Sequence, residues 1–90
     1  MHRLVFTETF LKKEQGFIRK HPELIEKYKK ILRLLELDPF HASLRLHKLK
    51  GKFSDKHAVS ITYSYRLVLS FTVIGEEIIL IDVGHHEEVY

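Results

Sequence analysis

The sequence predicts an α+β domain in which two helices pack on one face of an antiparallel sheet. Three observations predict it: a strand-like segment opens the chain, apolar residues then recur at helical spacing, and an alternating apolar–polar pattern fills the second half. The 90 residues, 44% of them hydrophobic, suffice for one core and one domain, 1–90.

The first strand and the first helix are predicted from the N-terminal residues. Residues 2–7 carry the strand-forming pattern. Thr7 or Thr9 can cap a following helix, because a threonine hydroxyl can accept a hydrogen bond from a free N–H of the first turn. Apolar residues recur at helical spacing through this helix and are interrupted by Gly16.

The second helix has the clearest pattern in the chain. It begins after His21-Pro22, because proline suits the first turn of a new helix, and it ends near Leu37, where Asp38-Pro39 follows. Its solvent face carries lysines, an arginine and a glutamate. Its apolar stripe consists of Leu24, Ile25, Tyr28, Ile31, Leu32 and Leu35.

Residues 40–55 are predicted to connect the helices to the sheet, with a short strand around residues 44–48 and a turn at Gly51. Two strands follow, separated by a change of register near Ser64-Tyr65. Ile74-Gly75-Glu76 then supplies a hairpin turn, and residues 78–83 return as a buried strand. The expected order is a strand, two helices and a three-stranded antiparallel sheet.

Alternation assigns the two faces of this sheet. Val59, Ile61 and Tyr63 are expected to point one way. The opposite face is expected to be polar and to carry Ser60, Thr62 and Arg66 toward solvent, with Val68, Ser70 and Thr72 further along the same face.

Fixed cations are concentrated between residues 45 and 56, although the formal charge of the whole chain is only +3. The segment holds a single acid, Asp55. Such a cluster can bind a polyanion, and a solvated basic loop is the alternative. Its cations are Arg45, Lys48, Lys50, Lys52 and Lys56.

Several classes of protein are excluded or disfavoured by composition. The absence of cysteine excludes disulfides and thiolate chemistry. No apolar stretch approaches the ~20 residues of a membrane span, and the N-terminus lacks a signal-peptide layout, so we expect a cytoplasmic protein. We also expect no metal or cofactor, because adjacent His85 and His86 on a strand would point to opposite faces and no chelating histidine motif occurs.

Four residues are candidates for the chemistry of RNA cleavage. Attack by the 2′-hydroxyl needs a base, an acid and cations that stabilise charge on phosphorus. His47 and His86 suit the first two roles, because an unperturbed imidazole has a pKa of ~6.5, and the expected topology brings both toward the sheet face of Arg66. Tyr90 could stack on a base or donate its hydroxyl.

At these residues the chain resembles a toxin of the RelE/ParE superfamily of bacterial toxin–antitoxin modules, in its RelE/YafQ/YoeB-like branch. The resemblance covers most of the chain and rests on the element order and three motifs. These motifs are His47-x-Leu49-x-Gly51, Ser60-Ile61-x-x-Ser64-Tyr65-Arg66-Leu67-Val68, and Ile81-Asp82-Val83-Gly84-x-His86-x-x-Val89-Tyr90.

The resemblance implies a single RelE-like toxin domain with a microbial RNase-like fold. It implies a metal-independent mRNA interferase that cleaves mRNA, often at the ribosome, and leaves a 2′,3′-cyclic phosphate or 3′-phosphate and a 5′-hydroxyl. A cognate antitoxin protein would block it. The family's functional positions match His47, Arg66, His86 and Tyr90, whereas Ser64 stands where YoeB-like and YafQ-like toxins have an acid. The choice of base therefore lies between His47 and a mechanism that relies on positioning and cations.

The leading hypothesis is a ribosome-dependent endoribonuclease toxin. In it His47 is the base, His86 the acid, Arg66 the transition-state cation and Tyr90 the residue that orients the nucleotide. RNA phosphates would bind Arg45, Lys48, Lys50 and Lys52. The alternatives are a ParE-like toxin that binds DNA gyrase and a non-catalytic protein that binds only an antitoxin.

Overall fold

The structure is a computed structural model that describes residues 1–72 and 75–87. Three 3₁₀ turns, Pro22–Leu24, Ala42–Leu44 and Gly51–Phe53, join its longer elements. No helix within the described ranges is long and apolar enough to cross a membrane. The helices and strands are β1 (Arg3–Phe6), α1 (Glu8–Lys20), α2 (Ile25–Leu37), β2 (His47–Lys48), β3 (His57–Ser60), β4 (Tyr65–Phe71) and β5 (Glu77–His85).

The sheet has five strands in the order β1-β5-β4-β3-β2. β1 runs parallel to β5, with Leu4 opposite Ile78, and the other pairs are antiparallel. The α+β class, the opening strand and the two helices are confirmed, but the prediction of a three-stranded sheet is wrong. β1 joins one edge of the antiparallel core and the two-residue β2 joins the other, because each finds its partner through tertiary contact rather than through a local repeat.

Both helices form for local reasons that the sequence carries. Thr7 caps α1, since its Oγ1 accepts a hydrogen bond from the Phe10 N–H at 3.1 Å. Gly16 does not interrupt α1, which continues to Lys20. Pro22 begins a 3₁₀ turn rather than α2 itself. Both helices pack on one face of the sheet and bury Phe10, Phe17, Tyr28, Ile31 and Leu35 against Val59, Ile61, Leu67, Leu69, Ile78, Leu80 and Val83.

The opposite face of the sheet is only partly polar. Ala58 and Val68 are buried there beneath Leu49, with Phe53 and Ile81 partly buried beside them. The connection folds back over this face, and the Leu49 N–H donates to the Lys56 carbonyl at 3.0 Å. The prediction of a polar, exposed face is therefore wrong at its centre, because alternation along one strand does not show which loop covers it.

The turn between β3 and β4 also differs from expectation. β3 ends at Ser60, and the Ile61 N–H donates to the Tyr65 carbonyl at 2.9 Å. The Thr62 hydroxyl accepts from the N–H groups of Ser64 and Tyr65 at 3.2 Å each. Tyr63 consequently lies at the tip of a turn and is 96% exposed, instead of sharing the core face with Ile61.

The β4–β5 hairpin holds an irregular ladder. Val68 pairs with Asp82 and Leu69 with Leu80, so Ile81 is an extra residue on β5. In the connecting turn, Gly75 has φ 83° and Glu76 has φ 50°. Ile74 of the predicted hairpin turn lies outside the described residues.

One buried polar contact in this core yields a test. Tyr28 is 2% exposed, and its hydroxyl donates to Glu14 Oε2 at 2.6 Å. Burial, together with the hydrogen bond and the charge of Glu14, raises the pKa of the Tyr28 phenol above its ordinary range. Tyr28→Phe should cost about 1–2 kcal/mol of unfolding free energy, measured by denaturant titration, because it leaves the half-buried Glu14 carboxylate without its donor.

The same pair predicts a pH dependence. Above pH ~10 the unfolded chain loses the proton of Tyr28 while the folded chain retains it, so the folded state binds more protons and stability falls as pH rises. This part of the alkaline decline should be absent in Tyr28→Phe and present in the control Tyr63→Phe. Identical alkaline curves for wild type and Tyr28→Phe would contradict the assignment.

Candidate functional site

The sheet register aligns two rows of residues on the face away from the helices. His47 pairs with Ala58, which pairs with Val68; two residues further along β3, Ser60 pairs with Arg66. Directly paired residues of antiparallel strands project from the same face. Since Ala58 and Val68 form the small apolar cluster on that face, His47 and Arg66 lie on the same side of the sheet, on strands two apart, about 10 Å across.

His86 lies just beyond β5, near the row of Arg66. Gly84 is paired with Arg66, and two residues later the His86 N–H donates to the Ser64 carbonyl at 2.9 Å. The His86 ring Nδ1 lies 3.2 Å from the same carbonyl oxygen. Because a carbonyl oxygen can only accept, Nδ1 carries the hydrogen in this contact, and Nε2 is the atom left for chemistry.

The ring of His47, on β2, is also anchored by a backbone carbonyl. Its Nδ1 lies 2.9 Å from the Arg45 carbonyl oxygen, so Nδ1 again donates. Arg45 has φ 52°, a left-handed conformation that a non-glycine residue seldom adopts. The exposed His47 ring can therefore present Nε2 as an acceptor when neutral and as a donor when protonated.

In the neighbouring His85, Nδ1 is a hydrogen-bond acceptor instead of a donor. Its Nδ1 accepts a hydrogen bond from the Glu87 N–H at 3.2 Å, and its ring contacts Tyr65 edge-on at 5.6 Å between centroids. The rings of His85 and His86 stack at 4.5 Å, so the prediction that they point to opposite faces is wrong. The strand ends at His85, and alternation no longer applies beyond it. In residues 1–72 and 75–87, no group of three or more His, Cys, Asp or Glu residues could hold a metal ion.

The predicted cations do not all gather at this face. Arg66 is half-buried near the start of β4, and Arg45 lies beside His47. Lys48 pairs with His57, which packs edge-on against Phe71 on the helix side, so Lys48 projects away from the face of His47.

The remaining lysines lie on the loop that follows β2. Lys50 immediately precedes the Gly51–Phe53 turn, and Lys52 Nζ lies 5.4 Å from the centre of the Phe53 ring. Lys56 forms an ion pair with Asp55 at 3.3 Å. Tyr90, the fourth predicted catalytic residue, lies outside the described residues.

Sequence reasoning missed a groove next to this face. The groove has a volume of about 620 Å³ and adjoins the candidate site at Arg45 and Ser60. Lys27 and Lys30, expected only to face solvent, line it. The signal was present, because Lys27, Lys30, Ile31 and Leu34 follow the spacing of one helix face.

Comparison with known proteins adds to this geometry. No protein-family model matches the sequence, and no curated protein matches it. Solved structures do match: a copper-bound mutant toxin from Helicobacter pylori is 25% identical with a TM-score of 0.72, and the match covers 100% of both chains. The YoeB/ParE toxin from Agrobacterium tumefaciens is 22% identical with a TM-score of 0.75, covering 93% of this chain and 98% of that one. The E. coli DinJ–YafQ toxin–antitoxin complex matches at 15% identity and a TM-score of 0.79, covering 99% and 97%.

This chain has the RelE/YafQ/YoeB-like toxin fold. The fold expected from the three sequence motifs is thereby confirmed, over essentially the full length of both chains for the YafQ-type structures. Within this toxin fold, His47 and Arg66 lie on the sheet face opposite the helices, and His86 lies just beyond the end of β5, where its ring stacks on that of His85.

The tautomers of the histidines can be measured directly. At a pH of about 8, where an unperturbed imidazole is neutral, ¹⁵N–¹H correlation through the ring should show His47 and His86 protonated at Nδ1 and His85 protonated at Nε2. His85 serves as the internal control, because it sits beside His86 but accepts at Nδ1. A common tautomer for all three rings would contradict the proposed carbonyl anchors.

Proposed function

We propose that this protein is a toxin endoribonuclease, an mRNA interferase that cleaves mRNA by attack of the 2′-hydroxyl and needs no metal. The observation that supports it most is the pair of imidazoles, His47 and His86, that border the row of Arg66 and are each anchored at Nδ1 by a backbone carbonyl. Two imidazoles with Nε2 left for chemistry, together with a fixed cation, are the groups that metal-independent RNA cleavage requires.

Each step assigns one role. Neutral His47 takes the proton of the 2′-hydroxyl at Nε2, and the 2′-oxygen attacks phosphorus. The bond from phosphorus to the 5′-oxygen breaks, and protonated His86 gives its proton to that oxygen. Arg66 stabilises the charge that builds on the phosphate oxygens. The products are a 2′,3′-cyclic phosphate and a 5′-hydroxyl.

The flanking residues bind and orient the substrate in this proposal. Arg45, Lys50 and Lys52 hold neighbouring phosphates, and Lys48 contributes less, because it projects toward the helix side of the sheet. Tyr90 orients the nucleotide at the cleaved linkage.

Ser64 stands where YoeB-like and YafQ-like toxins have an acidic residue, and we propose a different role for it. Its backbone carbonyl, not its side chain, receives the His86 ring, and a serine with an ordinary hydroxyl is no base near neutral pH. The position therefore supports the acid, His86, while the base comes from His47 on β2, two strands across the sheet from Arg66. This assigns the two roles without a carboxylate.

A partner and a setting follow from the fold. The similar YafQ structure is that of a toxin in complex with its antitoxin, and we propose that this chain is likewise neutralised by a cognate antitoxin protein. We further propose that it acts on mRNA at the ribosome in the cytoplasm.

The decisive experiment compares three histidine variants. His47→Gln and His86→Gln should each lower the rate of mRNA cleavage by at least ~10²-fold, the contribution typical of general acid–base catalysis. His85→Gln removes the neighbouring imidazole and should retain cleavage within ~10-fold. Cleavage is followed by mapping 5′ ends of mRNA with ribosomes in Mg²⁺ buffer, and without ribosomes in buffer with and without a chelator.

The controls separate chemistry from folding. Each variant must unfold at the same denaturant midpoint as wild type before its rate is compared. Undiminished cleavage by His86→Gln would remove it from the mechanism, and equal losses in all three variants would point to a structural effect. Loss of cleavage in the presence of chelator would contradict metal independence.

The second candidate is a ParE-like toxin that inhibits DNA gyrase. This alternative is supported by the match to a structure described as a YoeB/ParE toxin. Induction would then damage DNA while cellular mRNA stays intact, and neither histidine variant would relieve growth arrest.

A further inference from the structure

We infer that the groove between α2 and the β3–β4 turn is a second RNA site, which holds the single-stranded segment next to the cleaved linkage. Phosphates of this segment would bind Lys27, Lys30 and Arg45, and one base would stack on Tyr63. The inference rests on the proposed function for the identity of its ligand, but its test measures binding and does not need cleavage.

The charged residues that line the groove, among those the structure describes, are all positive. They are Lys27, Lys30 and Arg45. Its volume is about 620 Å³, and it is neither an enclosed cavity nor a flat surface, so a segment of chain can lie along it. A groove that collects cations of one sign raises the local concentration of a polyanion.

Within residues 1–72 and 75–87, these cations are not neutralised by ion pairs. On the same helix, Lys29 is paired with Glu26 at 3.5 Å and Arg33 with Glu36 at 3.9 Å. Across the part of the chain that the structure describes, no ion pair includes Lys27, Lys30 or Arg45. α2 therefore balances the charge on its solvent face and leaves it unbalanced on the groove side.

An exposed aromatic ring completes the site. Tyr63 is 96% exposed, yet the turn that carries it is fixed by hydrogen bonds from two backbone N–H groups to the Thr62 hydroxyl. Sites for single-stranded nucleic acid combine cations along the backbone with aromatic rings on which bases stack. An acidic polypeptide would also bind the cations, but cations along a groove that ends at an exposed ring are the combination typical of sites for single-stranded nucleic acid, so we commit to RNA.

The groove is continuous with the candidate cleavage site through two residues. Arg45 lines the groove and anchors His47 with its carbonyl. Ser60 lines the groove and pairs with Arg66. A strand whose scissile phosphate lies near His47 and Arg66 would therefore reach the groove over the sheet edge at Arg45 and Ser60.

The test measures binding of a short single-stranded RNA that is 2′-O-methylated at every position and so cannot be cleaved. Affinity is followed by fluorescence anisotropy over a range of salt concentrations. The double variant Lys27→Gln/Lys30→Gln should bind more weakly, and its slope of log affinity against log salt should be shallower by about 1.4, because each lost phosphate contact removes ~0.7 for a single strand.

A matched control and an aromatic variant sharpen the result. Lys12→Gln/Lys29→Gln removes the same charge from exposed positions outside the groove and should leave most of the slope unchanged. Tyr63→Ala should weaken binding about tenfold with little change of slope, since stacking is not a counterion effect. Because this RNA cannot be cleaved, failure of the cleavage proposal stays separate from failure of this one.

Two outcomes would overturn the inference. One is an equal change of slope in the groove variant and its charge-matched control, which would mean that only net charge matters. The other is retained RNA affinity with lost affinity for polyglutamate, which would identify the groove as a site for an acidic polypeptide.

Discussion

The pairing of β4 with β5 is the constraint on which both the core and the candidate site depend. It sets Leu67 against Val83 on the helix face and Arg66 against Gly84 on the other. Because side chains alternate with a period of two, a slip of one residue would turn Arg66 into the helices and Leu67 to the opposite face. The apolar core therefore fixes the face on which the arginine emerges.

The extra residue in β5 makes this arrangement possible along the whole strand. Leu80 and Val83 both pack into the core beneath the helices although three positions separate them, because Ile81 is the bulged residue between two ladder segments. The bulge shifts the phase of alternation before Gly84 and His86. It thus brings the end of the strand into register with Ser64 and Arg66, which are fixed by β4.

Local pattern was enough for most of the elements and for part of the site. Helical spacing and the two prolines located α1 and α2, and alternation along β4 put Arg66 on the face away from the helices. The parallel β1–β5 pair was not predictable, because Arg3 and Glu77 meet only through the folded core. Leu49 packs over Val68 because the connection turns back at Gly51, which has φ 69°. The spacing of apolar residues in the sequence does not predict that backbone conformation.

The tautomers and the groove could not be predicted for a different reason. A tautomer depends on which backbone oxygen the ring meets, and the Arg45 and Ser64 carbonyls reach their histidines only after the loop and the hairpin have formed. The groove was missed because each residue of α2 was assigned either to core or to solvent. Lys27 and Lys30 border the apolar stripe, where a lysine can lie against a neighbouring element while its charge stays accessible.

The shortness of β2 explains why the groove and the candidate site open side by side. Extending the register of His47 opposite Ala58 would place Arg45 opposite Ser60. The left-handed conformation of Arg45 ends the ladder before that pair forms, at a cost of about 1–2 kcal/mol relative to ordinary backbone. A longer β2 would fill the edge of β3 at Ser60 and close the groove, and it would direct the Arg45 carbonyl into the sheet instead of toward His47. One strained residue thus keeps an edge of the sheet open and orients the imidazole beside it, which is where a backbone conformation of this cost is expected to persist.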